Sequence, residues 1–250
     1  MHSTLVVSPP AAPDFFLTHR SVQNEVMDDV RVDARDYEQC LADLAAVNRV
    51  TQTHAPIVSW LARQVKQLGT KRKVVVLDVA FGQGDLLREL AAWGARNGVE
   101  LELHGVDLNP RSAEQARAVT RELNITFHTS DVFAFRWPVQ PDFIVSSQFT
   151  HHLDETLVKR LLRWMDSTAK RGFFIADLER SAFAFHGFPL LCAVAGWHEL
   201  VRRDGQVSIA RSWRRDEWRA LINEARVNAE VTRNFPFRLA ISSTSSAQRP

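Results

Sequence analysis

Val74-Val75-Val76-Leu77-Asp78-Val79-Ala80-Phe81-Gly82-Gln83-Gly84-Asp85 begins with an unbroken apolar, β-branched run and ends on two glycines one residue apart. A short run without polar alternation is the pattern of a parallel strand buried on both faces. Beyond it, Leu86, Leu87, Leu90 and Ala91 fall on one helical face, so the glycines mark a tight strand-to-helix turn. Such a turn admits a ligand close to its backbone, although taken alone it fits equally a turn that uses glycine for shape. A dinucleotide fingerprint needs a third glycine, where Leu87 stands, and the Gly-Lys-Ser/Thr of a phosphate loop is absent. The acid ahead of the turn, Asp78, suits a ligand bearing an ammonium group better than a pyrophosphate.

Downstream the pattern alternates. Residues 101–106 read as a strand ending at Asp107, and Asn109 with Pro110 caps and opens a helix through Arg121. Further strands are expected at 125–128, 143–147 and 173–176. Between the last two, Leu157, Val158, Leu161, Leu162 and Met165 mark a helix that Asp154 caps. Strands alternating with helices imply an α/β fold with a mostly parallel sheet covered on both faces. The end departs from this: after a helix at 216–225, strands at 227–233 and 237–241 are too close for a crossover, which predicts an antiparallel hairpin.

Upstream, Tyr37, Leu41, Leu44, Val47 and Val50, then Ile57, Leu61, Val65 and Leu68, recur with helical spacing around Pro56. The chain therefore divides into a flexible lead-in (1–35), an N-terminal helical cap (36–70) and the α/β domain (71–250). Within the last, 179–213, rich in Phe and Trp, is too long for a plain connection and reads as a lid insertion.

With 250 residues, 45% hydrophobic and 24% charged, the chain has the composition of a globular α/β protein. A net charge of +2 with scattered arginines gives no reason to expect nucleic acid as a partner. Residues 183–197 are too short and broken for stable membrane insertion. Cys40 and Cys192 make neither a disulfide framework nor a zinc site, which fits a cytoplasmic setting.

Three further features follow strand ends. Asp107 is placed to accept hydrogen bonds from both hydroxyls of a ribose. Asp131, in Ser130-Asp131-Val132, is placed for the exocyclic amine of adenine. Ser146-Ser147-Gln148-Phe149-Thr150-His151-His152-Leu153 closes the fourth strand, with His151 expected to face the pocket and His152 to pack or cap the next helix. A metal site from His151, His152 and Asp154 is not expected, because adjacent histidines rarely converge on one ion and no other ligand cluster is present.

The order L-D-V-A-F-G-Q-G-D-L, G-V-D-L-N-P, S-D-V, S-Q-F-T-H-H-L resembles the successive motifs of class I S-adenosylmethionine (SAM)-dependent methyltransferases, closest to the branch with ubiquinone- and menaquinone-biosynthesis enzymes. Asp43-Leu44-Ala45-Ala46-Val47-Asn48-Arg49 and Ala176-Asp177-Leu178-Glu179-Arg180-Ser181 also resemble bacterial methyltransferases associated with type III polyketide synthases. The resemblance covers the chain from about residue 36 and implies a Rossmann-like, seven-stranded sheet with SAM as cofactor. Asp78 would then orient the methionine ammonium, with the backbone from Ala80 through Phe81 and Gly82 to Gly84 beside the methionine. Asp107 would hold the ribose, Leu108 flank adenine, Asp131 and Val132 read its edge, and Ser147 join the cofactor-facing set. Asn48 and Arg49 would close over the cofactor, Arg49 pairing with its carboxylate. The family usually has glycine at Ala80 and a small residue at Phe81. Alanine fits if φ stays negative, and Phe81 is expected to narrow the methionine end.

The implied reaction is methyl transfer to a small aromatic acceptor, most readily O-methylation of a phenolic or polyketide-like compound. His151 is the expected base and His186, within the insertion, a second candidate. Phe183, Phe185, Phe188 and Trp197 are expected to line the acceptor pocket. C- or N-methylation, a noncatalytic SAM-binding module and, less favoured, a nicotinamide oxidoreductase are the alternatives.

Overall fold

Strand β1 (Val74–Val79) is buried along its whole length, as an unbroken apolar run requires of a central strand. The computed structural model describes residues 17–244 except 30, 70, 71, 122 and 138. Parallel neighbours flank β1: β2 (Leu101–Asp107) and then β3 (Ile125–Thr129) on one side, β4 (Phe143–Ser147) and then β5 (Gly172–Leu178) on the other. Strand β7 (Arg238–Thr244) inserts antiparallel between β5 and the edge strand β6 (Glu230–Asn234), giving the order β3-β2-β1-β4-β5-β7-β6. At Gly172, with φ +146°, an added Cβ would lie 2.1 Å from the Ser243 carbonyl oxygen, so only glycine lets β7 pair this closely.

The C-terminal hairpin forms as expected, with its strands starting later. The preceding helix ends at Ala225 on a left-handed Arg226, whose neighbour Val227 still bonds back to Ile222, so pairing begins only at Glu230.

Helices cover both faces. Helices α2 (Ala55–Leu68), α3 (Asp85–Asn97) and α4 (Pro110–Val119) pack on one, where Trp60, Leu90, Phe143 and Phe174 are buried. Helices α5 (Glu155–Thr168) and α8 (Arg215–Ala225) cover the other, over Leu161, Phe173, Trp218 and Ile241. Alternate residues of one strand serve opposite cores, Phe173 and Ile175 in one and Phe174 and Ala176 in the other. The expected caps are present: Asn109 accepts from the Arg111 N–H and Asp154 from the Leu157 N–H.

Helix α1 (Ala34–Val50) does not travel with α2. It packs above the carboxyl edge of the sheet on the helices of the insertion, α6 (Ala182–Ala195) and α7 (Glu199–Arg211), through Cys40, Val47 and Val201. The expected two-helix cap is thus divided: α2 is a layer of the sheet and α1 part of the roof. Of the expected lead-in, residues 1–16 lie outside the described residues, while the part from Leu17 onward is packed rather than flexible. Leu17 and Ser21 are buried, the Ser21 N–H bonds to Ala210, and Asp204 accepts from the Val26 and Met27 N–H groups.

Candidate active site

The turn after β1 places three residues in the left-handed region: Ala80 (φ +61°), Gly82 (+54°) and Gly84 (+72°). The negative φ on which the fit of alanine at position 80 depended is not what the turn adopts. Its N–H must reach the Val106 carbonyl (2.8 Å) while the next turn opens the helix. The Phe81 side chain is not a plug either. Its ring packs on Phe127 (centroids 4.8 Å apart) above Gly105, where a Cβ would come within 2.6 Å of it, so Phe81 forms the floor of the site.

Asp107 ties this turn to the end of β2, accepting from the Gly82 N–H (3.0 Å) and the Asn109 N–H (2.9 Å). Burial raises its pKa above the usual carboxylate value against those two bonds. Beside it Leu108 is 74% exposed, an apolar side chain held in solvent at the strand end. Asp131 is exposed and closes a local turn with the Phe133 N–H, while Val132 packs partly against the α5-side core.

Asp78 is buried, and its Oδ1 has no hydrogen-bond partner among the described residues. Burial and then the nearby Asp85 and Asp107 carboxylates push its pKa well above the ordinary range. Ser147 Oγ is likewise buried without a partner. Asp78, Ala80, Gly82 and Ser147 border one cavity of about 160 Å³, with Asn48 and Gln148 on its α1 side. Asn48 donates to Asp85 (2.8 Å) and accepts from Gln148 (2.5 Å). Arg49 is exposed and outside this lining, because the helical turn that aims Asn48 inward carries the next residue outward.

His151 borders the same cavity, on a single 3₁₀ turn (Thr150–His152) after β4. Its Nδ1 meets Asp177 Oδ1 at 2.7 Å, its backbone N–H donates to Asp177 Oδ2, and its Nε2 lies 3.4 Å from Glu25 Oε1. Arg20 braces the turn by donating to the carbonyls of His151 (2.5 Å) and Leu153 (2.6 Å). Burial alone would lower the imidazole pKa, but Asp177 and Glu25 raise it to about 10. In this arrangement the ring carries its proton at neutral pH, so it is not the free base expected from sequence. Glu25 is the counterpart: burial works to raise it, but His151, His152 and Ser208 hold it down at about 2. His186 is exposed on α6 and lines neither this cavity nor the next, so the second base candidate falls away; α6 turns Ala184 and Phe188 inward instead.

A second cavity, about 320 Å³, lies under the insertion and is lined by Met27, Val47, Phe183, Phe188, Val201 and Phe237, among others. Of the expected aromatic lining, Phe183 and Phe188 are present; Phe185 and Trp197 are not, and Trp197 packs with α1 and α7. The two cavities share Glu25, Leu44, Gln148 and Ser208, so they are adjoining rooms with one common wall. Sequence reading missed Glu25, which lies in the supposed lead-in, and gave no role to Asp177, whose signal was an acid near the end of an apolar strand.

Residues 76–172 match the family described as methyltransferase domain. No curated protein matches the chain in sequence. Among solved structures, the plantazolicin methyltransferase BpumL, in complex with a pentazolic desmethylPZN analog and SAH, is 13% identical with a TM-score of 0.57, over 84% of this chain and 95% of that one. The magnesium protoporphyrin IX methyltransferase (ChlM) of Synechocystis PCC 6803 with bound SAM is 15% identical with a TM-score of 0.51, over 94% and 92%. At such identities the likeness is one of fold, and it agrees with the strand order and the turn after β1. Residues 76–172 thus match a methyltransferase domain, and the chain has the Rossmann-like class I methyltransferase fold.

Proposed function

We propose that the chain transfers a methyl group from SAM to an oxygen of a small, largely apolar acceptor, phenolic or polyketide-like. One observation carries this reading: the cavity holding the bare Asp78 carboxyl shares a wall with an apolar cavity of acceptor size. A buried carboxyl without a partner is costly, and a ligand ammonium is the group that relieves it. SAM, when bound, would supply a sulfonium methyl to the acceptor oxygen and leave as its neutral thioether product, the acceptor's hydroxyl proton passing to solvent. Asp78 and Ser147 hold the methionine end, Asp107 the ribose hydroxyls, and Leu108, Asp131 and Val132 the adenine. Glu25, on the shared wall, meets the acceptor's hydroxyl, with His151 beside it in the smaller cavity. Phe183, Phe188 and Phe237 line the apolar cavity that takes its body.

No helix among the described residues is long and apolar enough to cross a membrane. Two buried, unpaired thiols, Cys40 and Cys192, support a cytoplasmic site of action.

The test is calorimetry with SAM, SAH and NADH, followed by a methyl-transfer screen over phenols, quinols and polyketides with product mass spectrometry. SAM and SAH bind and NADH does not. His151→Ala leaves SAM affinity nearly intact and lowers turnover by about 10²-fold, because Glu25 loses the imidazolium that positions it against the acceptor's hydroxyl. Tight NADH binding without a SAM signal would overturn the reading, and the mass spectra show whether oxygen, carbon or nitrogen is methylated.

A further inference from the structure

Adjacent histidines on an extended strand point to opposite faces, but the 3₁₀ turn at Thr150–His152 brings both rings of the pair to one side. Their centroids stand 4.4 Å apart. Both Nε2 atoms converge on the same oxygen: Glu25 Oε1 is 3.4 Å from His151 Nε2 and 3.6 Å from His152 Nε2. All three atoms lie within 4.8 Å of one another. Tetrahedral ligands with bonds of about 2.0–2.1 Å stand about 3.3–3.4 Å apart, so the two nitrogen-to-oxygen distances are close to the edge of a coordination tetrahedron and the third pair is within reach of closing on one ion.

We propose that Glu25, His151 and His152 bind a divalent transition metal, Zn²⁺ in the first instance, at the wall between the two cavities. Two imidazoles and one carboxylate suit zinc, cobalt or nickel rather than magnesium or calcium, which take oxygen ligands. Asp177 completes the arrangement from behind. Its carboxylate receives the His151 Nδ1–H at 2.7 Å, which aims Nε2 at Glu25, where the metal takes the place of the Nε2 proton. The third ligand is delivered by a tethered segment: Asp204 anchors Val26 and Met27, and Ser208 donates to Glu25 Oε1 at 2.7 Å. Three protein ligands leave a fourth position, and Glu25 borders both cavities, so that position is reached by an acceptor's oxygen. Assigning the fourth position to the acceptor rests on the methyl-transfer reading above; metal binding itself does not.

The experiment uses the untagged full chain, stripped with a chelator and titrated with Co²⁺ alone, following the visible d–d absorption of a four-coordinate site and its displacement by Zn²⁺. One equivalent is expected, with the spectrum lost in His152→Ala and in Glu25→Gln. Asp177→Asn weakens binding by about 10–100-fold. His186→Ala, on the exposed face of α6, binds as the parent does. Far-UV circular dichroism accompanies each variant, and His152→Ala, at a partly exposed ring, is the substitution least able to unfold the chain. No four-coordinate spectrum with the parent chain, or an undiminished one in both His152→Ala and Glu25→Gln, overturns the proposal. SAM calorimetry on the stripped protein separates the two readings: intact SAM binding without a cobalt site removes the metal alone, and a cobalt site without SAM binding removes the donor alone.

Discussion

Asp78 and Asp177 are the penultimate residues of β1 and β5, and each is 1% exposed. Around their carboxyl groups they are opposites. Asp177 is saturated: it accepts from the Thr150 hydroxyl, the His151 N–H and Nδ1, and the Leu178 N–H. Despite full burial its pKa is held below the ordinary value by His151 and Thr150. Asp78 Oδ1 has no partner, and its pKa is pushed well up. The same residue type in the same kind of position is thus scaffold in one strand and an open socket in the other. What separates them is whether the fold itself completes the bonding.

The largest effect tests the scaffold. Asp177→Ala leaves a buried imidazole and three further donors without their acceptor, and breaking a buried pair costs about 3–5 kcal/mol. Urea denaturation of the ligand-free protein is the measurement. A loss under about 1 kcal/mol would mean that Asp177 is no more built into the fold than Asp78.

The opposite sign is expected at Asp78. Asp78→Asn removes an uncompensated buried carboxylate, so the ligand-free protein keeps or gains stability, while SAM affinity falls by about 1.5–3 kcal/mol with the lost charge-assisted bond. The sign with pH follows from the raised pKa. The neutral form favoured by the fold is fully present below the ordinary carboxylate value of 3.8, and its contribution is lost as pH rises through the raised value. The stability advantage of Asp78→Asn therefore widens as pH rises over that window. SAM affinity of the parent chain climbs over the same window, because the ammonium needs the carboxylate. Thermal melts with and without SAM across pH show both; parallel curves for parent and variant would contradict the socket reading.

This contrast also explains what the sequence made legible. The Asp78 side of the site lies in contiguous motifs, and each β–turn–α unit carries its own periodicity, cap and glycine, so local pattern suffices for the sheet and the hairpin. The Asp177 side is assembled from Glu25, His151 and Asp177, joined only by tertiary packing. No spacing announces that a glutamate nine residues before α1 will stand beside a histidine after β4. Arg49 and His186 are misread for a related reason: the sequence puts one on a helix of the cap and the other in the insertion, but which neighbour faces inward is fixed by the packing of the roof. Phe81 reads as an obstruction until Gly105, on another strand, is seen to leave room for it.

The smallest effect concerns the turn beside Asp78. An L-residue in the left-handed region costs about 1–2 kcal/mol, and Ala80 sits there at φ +61°. Glycine removes that strain but returns about 0.5–1 kcal/mol through the greater entropy of the unfolded chain. Ala80→Gly should therefore stabilise the protein by about 1 kcal/mol or less, with the bond from residue 80 to Val106 retained. The complementary change, Gly82→Ala, puts a side chain at φ +54°, where its Cβ meets no protein atom within 4 Å. The new methyl group then projects into open space at the cavity edge, so this variant pays the left-handed strain and also loses SAM affinity. Stability and affinity fall together at Gly82, whereas at Ala80 stability rises with affinity nearly unchanged. If calorimetry instead shows that Gly82→Ala binds SAM as well as the parent chain does, the backbone at Gly82 does not face the cofactor, and the donor must approach Asp78 from the α1 side.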